Sequence, residues 1–376
     1  MESIIIKEKD FEFNLEYFVS EMKLSKQSDG TYLLDENYFK KQNECIDLLE
    51  KFPLIELDSV LRPDGDTTIF TTAGIQHFET LERERIVLEG QKFTIVQPVV
   101  RSQFMDKIKE GYSTAFINET IAHFGASAED FINLCKQMIF KSLELDGVLQ
   151  KYYLTIEVID DRWGDKKFTK IVVTLYYNND EVSEGLFIDK FPQKNGQFLT
   201  VSEICWGKER LNWVYRGKQD RPYFTGFEEF YKIENKDDIA KVIDPIRTAT
   251  LMLMQGVVPS HKDPGFRLRQ LIKRFFERNK PFLFSEKQLL ELSYDFWVEN
   301  QVQGIKDKEE ILDLLRKEMM RAQNVYIVGC IEKEVGKKIK IDVNLDTNEF
   351  VKRIYSSSSQ DIIGVIKNID LKKYDK

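Results

Sequence analysis

The sequence is poor in the residues that build covalent or metal-bound frameworks. Its 376 residues include four cysteines and three histidines. Cys45, Cys135, Cys205 and Cys330 stand far apart and form no CxxC pair. That argues against both a disulfide-stapled scaffold and a cysteine zinc cage. No apolar run reaches the roughly 18 residues of a membrane helix, so no membrane partner is expected. The start, MESIIIKEKDFEFN, lacks a signal-peptide pattern, and a cytoplasmic protein with free thiols is the expectation. An overall positive charge is missing too: 55 Lys and Arg against 63 Asp and Glu give a net charge of −8. Any contact with nucleic acid must come from a local patch.

Core-forming material is abundant. Hydrophobic residues make up 42% of the chain and aromatic residues 12%, which argues against disorder and allows two domains or three small ones. Residues 1–34 form a charged lead-in. Residues 36–52 place Phe39, Cys45, Leu48 and Leu49 at helical spacing, and Arg62-Pro-Asp-Gly-Asp66 marks a turn. Strands are predicted over 67–71, 93–100 and 114–122, and a helix over 127–142 with Ser127 as its N-cap. Residues 152–159 and 168–177 are β-branched and aromatic and flank a turn at Asp160–Asp165, which predicts a hairpin. From residue 236 the pattern turns helical, with helices predicted over 238–254, 266–278, 286–300 and 308–322. A mixed tail follows over 323–376, with Ser356–Ser359 as a loop. The fold class expected is α+β: an antiparallel sheet flanked by helices over 1–235, followed by a helical domain over 236–376.

The most informative stretch runs from Ala240 to Arg274. An apolar helix leads through Gly-Val-Val-Pro-Ser into a second helix carrying Arg267, Arg269, Lys273 and Arg274. Residues three and four apart share a helix face, so part of this charge forms a basic stripe. A solvated helix face explains such a stripe most simply; a polyanion such as an RNA backbone explains it more sharply. The wording resembles the start of the helical domain of alanyl-tRNA synthetases. The matching residues are Asp244, Ile246, Arg247, Gly256, Val257, Pro259, Ser260, Gly265 and Phe266 with the four cations. The resemblance implies that Arg267, Arg269, Lys273 and Arg274 contact a tRNA acceptor stem.

Weaker motifs then fall in the order of a class II synthetase. Phe70–Phe78 resembles a strand and turn that line the active site, which implies that Gln76 faces substrate. Val96–Ser102 resembles motif 2, whose arginine, here Arg101, contacts the ATP α-phosphate. Attack of a carboxylate there builds negative charge that a preorganised guanidinium stabilises. Phe116, on the returning strand, is placed under the adenine. Glu203–Leu211 resembles motif 3: Gly207 lets backbone approach the nucleotide, and Arg210 grips the γ-phosphate. Glu209 helps carry Mg²⁺ or orients the arginine, and Glu203 pairs with the substrate ammonium. The family's zinc-binding editing motifs, HxxxH and CxxxH, are absent, so no zinc is expected.

Departures gather on the amino-acid side. Cys205 stands where motif 3 has its first glycine, and Glu203 replaces an aspartate. The family's long Gly-Pro-Cys loop has no counterpart, and the hairpin around Asp160–Asp165 occupies its region, with Trp163 on the tip expected to contact substrate. The family's Glu-Ile-Trp-Asn is replaced around Ser183–Ile188. The resemblance implies an AMP-forming ligase, a short form without editing and C-terminal modules, and a monomer. It would use ATP and Mg²⁺, activate alanine or a small analogue, and charge the tRNA acceptor stem. Two alternatives stay open: a ligase that loads a carrier protein or small molecule, and a catalytically silent paralogue that binds RNA or a partner enzyme.

Overall fold

The computed structural model describes residues 5–8, 11–41, 54–55, 61–62, 68–76, 90–105, 107–145, 147–163, 166–192, 196–215, 224, 226–232 and 236–357. The chain divides into two compact units, residues 1–240 with 300–302, and residues 241–299 with 303–376. No described helix is long and apolar enough to cross a membrane.

The first unit is built on a nine-stranded sheet. In chain order its strands are β3 (Leu24–Lys26), β4 (Tyr32–Leu34), β5 (Leu54–Ile55), β6 (Lys92–Val100), β7 (Ala115–Phe124), β8 (Tyr152–Trp163), β9 (Lys166–Tyr177), β10 (Asp180–Pro192) and β11 (Phe198–Gly207). The spatial order is β3-β4-β8-β9-β10-β11-β7-β6-β5. Every described pair is antiparallel except β5 with β6. A separate ribbon joins β1 (Ile5–Glu8) to β2 (Phe11–Asn14). Its described helices are α1 (Leu15–Glu21), α2 (Glu36–Lys41), α3 (Ala128–Leu145) and α4 (Lys208–Tyr215). This is the α+β architecture the sequence leads one to expect, an antiparallel sheet with flanking helices.

Local chemistry sets the boundaries. Ser127 caps α3 reciprocally: its Oγ accepts the Asp130 N–H at 3.2 Å, and Asp130 Oδ2 accepts the Ser127 N–H at 2.8 Å. The β8–β9 hairpin runs further than predicted, with Asp160 to Trp163 paired in the ladder. Carboxylates suggested a turn there, but they are satisfied across the strands. Thr169 Oγ1 donates to Asp160 at 3.1 Å and Lys170 Nζ to Asp161 at 2.6 Å. Of the strand predicted over 67–71, the described part makes a single bridge, Phe70 with Leu61. Of the helix predicted over 36–52, Glu36–Lys41 is helical and the rest lies outside the described residues.

Alternation gives the sheet two different faces. One packs under α1 and α3. Phe131, Ile132, Cys135 and Met138 of α3 meet Phe18 of α1 and Phe187, Ile204, Ile121 and Val173 of the strands in one core. The Phe131 and Phe187 rings stack at 5.4 Å. On the other face Ile95, Ala122, Phe124, Phe168, Ile188, Phe191 and Val201 cluster at one end of the strands. Toward the opposite end the same face changes character: β7 continues through Thr120, Asn118 and Phe116, and β11 through Glu203, Cys205 and Gly207.

The second unit is helical. It takes α5 (Lys236–Met254) from residue 241 onward, then α6 (Asp263–Asn279), α7 (Glu286–Glu299), α8 (Lys308–Val335) and α9 (Thr347–Ser357). Pro245 sits inside α5 and has no N–H for Lys241 C=O, which accepts instead from Arg278 Nη1 at 3.4 Å. Asp307 and Glu310 form a capping box on α8, and Gly336 closes it at φ +68°. This helix passes the predicted end at 322 because Ile327 and Ile331 pack against Phe350 and Ile354 of α9. Ser356 and Ser357 belong to α9 rather than to the predicted loop.

Candidate active site

A pocket with about 480 Å³ of space opens on this second sheet face, at the end that carries Asn118, Phe116, Cys205 and Gly207. Arg101, Tyr112, Phe116, Glu184, Cys205, Gly207 and Arg210 are among the residues that line it. The β7–β11 register explains the grouping. Cys205 lies opposite Thr120 and Gly207 opposite Asn118, so alternate residues of both strands point the same way. A Cβ on Gly207 would lie 3.2 Å from the Phe116 ring, so a side chain there would press on that ring.

Arg101 follows the last residue of β6. Its N–H still pairs with Thr114 C=O at 2.8 Å, and its Nε donates to Thr72 C=O at 2.9 Å. The guanidinium lies 5.3 Å from the centre of the Phe116 ring and 5.6 Å from that of Phe104. Gln76 is not among the lining residues; it closes its own turn. Its Oε1 accepts the Thr72 N–H at 2.6 Å, and its C=O accepts from Arg62 at 2.7 Å. Gln76 thus fixes Thr72, and Thr72 fixes Arg101. The sequence points to a residue facing substrate, and the structure gives one that braces the arginine.

Arg210 enters from the first turn of α4. Its Nε donates to Glu181 C=O at 2.7 Å, its Nη1 to Glu110 C=O at 2.7 Å, and its guanidinium lies 3.9 Å from the Tyr112 ring centre. Tyr112 in turn donates to Glu181 Oε2 at 3.0 Å. Burial, with Glu181 next in effect, pushes the Tyr112 phenol up to about 12. It therefore remains a donor throughout the neutral range. The neighbouring Glu209 is buried. The β11 ladder ends at Gly207 opposite Asn118, and the next N–H of β7, that of Ile117, is taken by Glu209 Oε2 at 3.0 Å. This bond ties the start of α4 to β7. Among the described residues no three His, Cys, Asp or Glu side chains gather as a metal site.

Carboxylates crowd the strands beside Arg101. Glu203 on β11 is 4% exposed. Burial and then the nearby Glu184 push its carboxyl up to about 8, while Lys170 and Arg101 pull the other way. Glu184 on β10 is pushed up as well, by burial first and Glu181 second. Cys205 stands opposite Glu184 in the ladder, and burial holds its thiol protonated. A stability consequence follows. In the unfolded chain Glu203 loses its proton near the ordinary 4.5, and in the fold near 8. Between these values the folded state keeps a proton that the unfolded state has lost, so stability falls as pH rises and levels off above 8. In urea unfolding at a series of pH values, Glu203→Gln should flatten that decline and be more stable than wild type at the alkaline end.

Trp163 is not brought to this pocket by its backbone. It pairs with Lys166 at the far end of the hairpin; Thr155, level with the pocket-lining Glu184 through Thr174 of β9, lies eight residues back, or about 26 Å of strand. Glu184, Glu181 and Tyr112 were missed by sequence reasoning. A single charge in a strand reads as solvent-facing, and the signal available was the replacement of Glu-Ile-Trp-Asn around residue 184. In the second unit the four cations of α6 divide. Arg269 turns inward: its Nε lies 3.0 Å from Glu318 Oε1 of α8, an electrostatic contact without hydrogen-bond alignment, with side chains 17% and 8% exposed. Lys273 is exposed, with Glu277 at 3.7 Å, and Arg267 is half-buried with Gln270 at 3.1 Å. Arg274 is half-buried.

Part of the chain is similar to known alanine–tRNA ligases. It is similar to alanine–tRNA ligase of Sulfurisphaera tokodaii, with 36% identity over 182 residues, 45% of this chain and 20% of that protein. It is also similar to the alanine–tRNA ligase of Ignicoccus hospitalis, 29% identical over 51% of this chain and 23% of the relative. That of Saccharolobus islandicus is 29% identical over 34% and 14%. The chain thus spans about a seventh to a quarter of the length of these relatives. No protein-family model matches. Among solved structures it is similar to the pyrrolysyl-tRNA synthetase PylSc of Desulfitobacterium hafniense, with a TM-score of 0.31 and 13% identity over 48% of this chain and 67% of that one.

Proposed function

We propose that this protein is an AMP-forming, class II-type ligase that activates an amino acid with ATP and passes the aminoacyl group to an RNA 3′ end. The observation that carries this reading is the convergence of Arg101, Phe116, Gly207 and Arg210 on one pocket beside a carboxylate pair. The amino-acid carboxylate attacks the α-phosphorus, pyrophosphate leaves, and the aminoacyl-adenylate remains. Arg101 stabilises the charge that builds on the α-phosphoryl oxygens, from a position already fixed by Thr72. Phe116 and Gly207 receive the adenine end, Arg210 the γ-phosphate, and Glu203 the substrate ammonium. No general base is required, because positioning and charge stabilisation carry the step. Glu209 orients the turn that presents Arg210. The donor set suits a Mg²⁺ ion that arrives on the phosphates, whose charge it would neutralise, rather than a resident ion. The relatives named alanine–tRNA ligase support the acceptor being tRNA.

In this reading Arg267, Lys273 and Arg274 of α6 meet the RNA backbone, and Arg269 holds α6 to α8. Charge reversal at Arg267 and Lys273 should weaken RNA binding and lower the salt slope by about one for each phosphate no longer neutralised. Arg269→Ala should instead lower stability by about 1–3 kcal/mol, because it removes a partner from the largely buried Glu318. Salt-dependent filter binding alongside urea unfolding separates the two. The acceptor is tested by following a radiolabelled amino acid, with ATP, into bulk tRNA. Acid-precipitable label destroyed by ribonuclease supports the reading; label found only on protein redirects it to a carrier.

A further inference from the structure

One ammonium does not account for the charge on the amino-acid side of the pocket. Glu203 lies opposite Leu186 and Cys205 opposite Glu184, so Glu203 and Glu184 are diagonal neighbours on adjacent strands. Diagonal pairs on one face lie within reach of long side chains. Glu203 alternates with the pocket-lining Cys205 and Gly207, and Glu184 lines the pocket itself. Glu157 of β8 and Glu181 of β10 add negative charge nearby, against Lys170 of β9 and Arg101. These two cations are committed elsewhere. Lys170 Nζ bonds Asp161 at 2.6 Å, and Arg101 Nε bonds Thr72 C=O at 2.9 Å with its guanidinium over Phe104 and Phe116. Glu181 is held by Tyr112. Neither Glu184 nor the 4%-exposed Glu203 has a hydrogen-bond partner among the described residues.

The geometry points to a substrate with a second cationic group, a short diamino acid whose side-chain amine is received by Glu184 while Glu203 takes the α-ammonium. This rests on the adenylation reading for the orientation of the substrate. A substrate with one ammonium would leave the half-buried Glu184 beside Glu203 with only Arg101 and Lys170 to offset its charge, a cost that the methyl of alanine does not return. The site therefore selects by leaving a half-buried carboxylate without its partner when the wrong ligand binds. The upward push on both carboxyls agrees with this: two ammonium groups relieve the repulsion, and binding releases protons to solvent.

The test is calorimetric titration of the full chain, without nucleotide, with 2,4-diaminobutyrate and with its monoamine counterpart 2-aminobutyrate. Runs in buffers of different ionisation enthalpy count the protons released. The diamine should bind at least about 30-fold tighter, and Glu184→Gln should shrink that ratio below about 3-fold. Glu184→Asp, which keeps the charge, should preserve most of it. Equal or tighter binding of the monoamine, a ratio unchanged in Glu184→Gln, or no binding of the diamine overturns the proposal. ATP–pyrophosphate exchange on the same panel keeps the two readings apart. Diamine binding without exchange supports the substrate class and removes the adenylation reading; exchange with alanine and not with the diamine does the reverse.

Discussion

Arg210→Ala is expected to lower amino-acid-dependent ATP–pyrophosphate exchange by about 10³-fold or more, the scale of removing a preorganised charge stabiliser. Three contacts fix this side chain before any nucleotide arrives: Glu181 C=O, Glu110 C=O and the Tyr112 ring. It therefore closes the loop ahead of β7 against β10 as well as offering charge to the pocket. Gly111 sits at the end of that loop with φ +78°, and a Cβ there would collide with the Trp213 ring of α4. Loop and helix are thus packed as one piece. Arg210→Lys separates the two duties. Lysine keeps the charge but has no planar fork to span two carbonyls. It should recover less than a tenth of the loss if forked geometry is needed, and most of it if charge alone suffices. Exchange unchanged in a folded Arg210→Ala protein would remove Arg210 from nucleotide binding altogether.

Arg247→Ala carries the largest expected cost in stability. Arg247 is fully buried, with its guanidinium 4.1 Å from the Phe296 ring centre and 4.4 Å from that of Trp297. Its own C=O accepts the Trp297 indole N–H at 3.0 Å. The substitution removes two ring contacts, leaves a cavity in the centre of the helical unit and strands nearby groups that had a charged partner. The expected destabilisation is about 3–5 kcal/mol, read as a drop in the urea midpoint. Arg247→Met, which refills the volume without the charge, should recover part of it. A cost under about 1 kcal/mol for the alanine variant would show that the stack is not holding the unit together.

The motif of which Arg247 forms part shows what the sequence could and could not disclose. The stretch from Asp244 to Gly265 stood out by its wording, and the structure explains much of it by packing. Arg247 is stacked in the core, Gly256 adopts φ +84°, and a Cβ on Gly265 would strike Ser260 and the Val258 carbonyl. Fit alone constrains these positions, whatever the ligand. Helices of the second unit were legible because their apolar residues recur at helical spacing. The end of α8 was not, because residues 323–335 include Val325, Ile327, Val328, Gly329 and Ile331, whose propensities run against helix. Contacts of Ile327 and Ile331 with α9 outweigh that preference.

The pocket was legible to a similar degree. Arg101 and Arg210 were singled out because their places at a strand end and at a strand-to-helix junction resemble class II motifs, and both line the pocket. Their surroundings were not, because each depends on long-range register. Gln76 reaches Arg101 only through Thr72, and Glu184 meets Glu203 only because β10 and β11 pair in one register. Arg269 looked like its neighbours on α6, and only the packing of α8 reveals Glu318 beside it. In each case composition gave the charge, and the tertiary partner decided its use.

The most direct test of the account is ATP–pyrophosphate exchange by the wild-type chain against the proteinogenic amino acids and short diamino acids, with and without bulk tRNA. Exchange that depends on a particular amino acid and on ATP is the predicted result. A folded protein that supports no exchange with any of them would contradict the claim that this pocket makes an aminoacyl-adenylate.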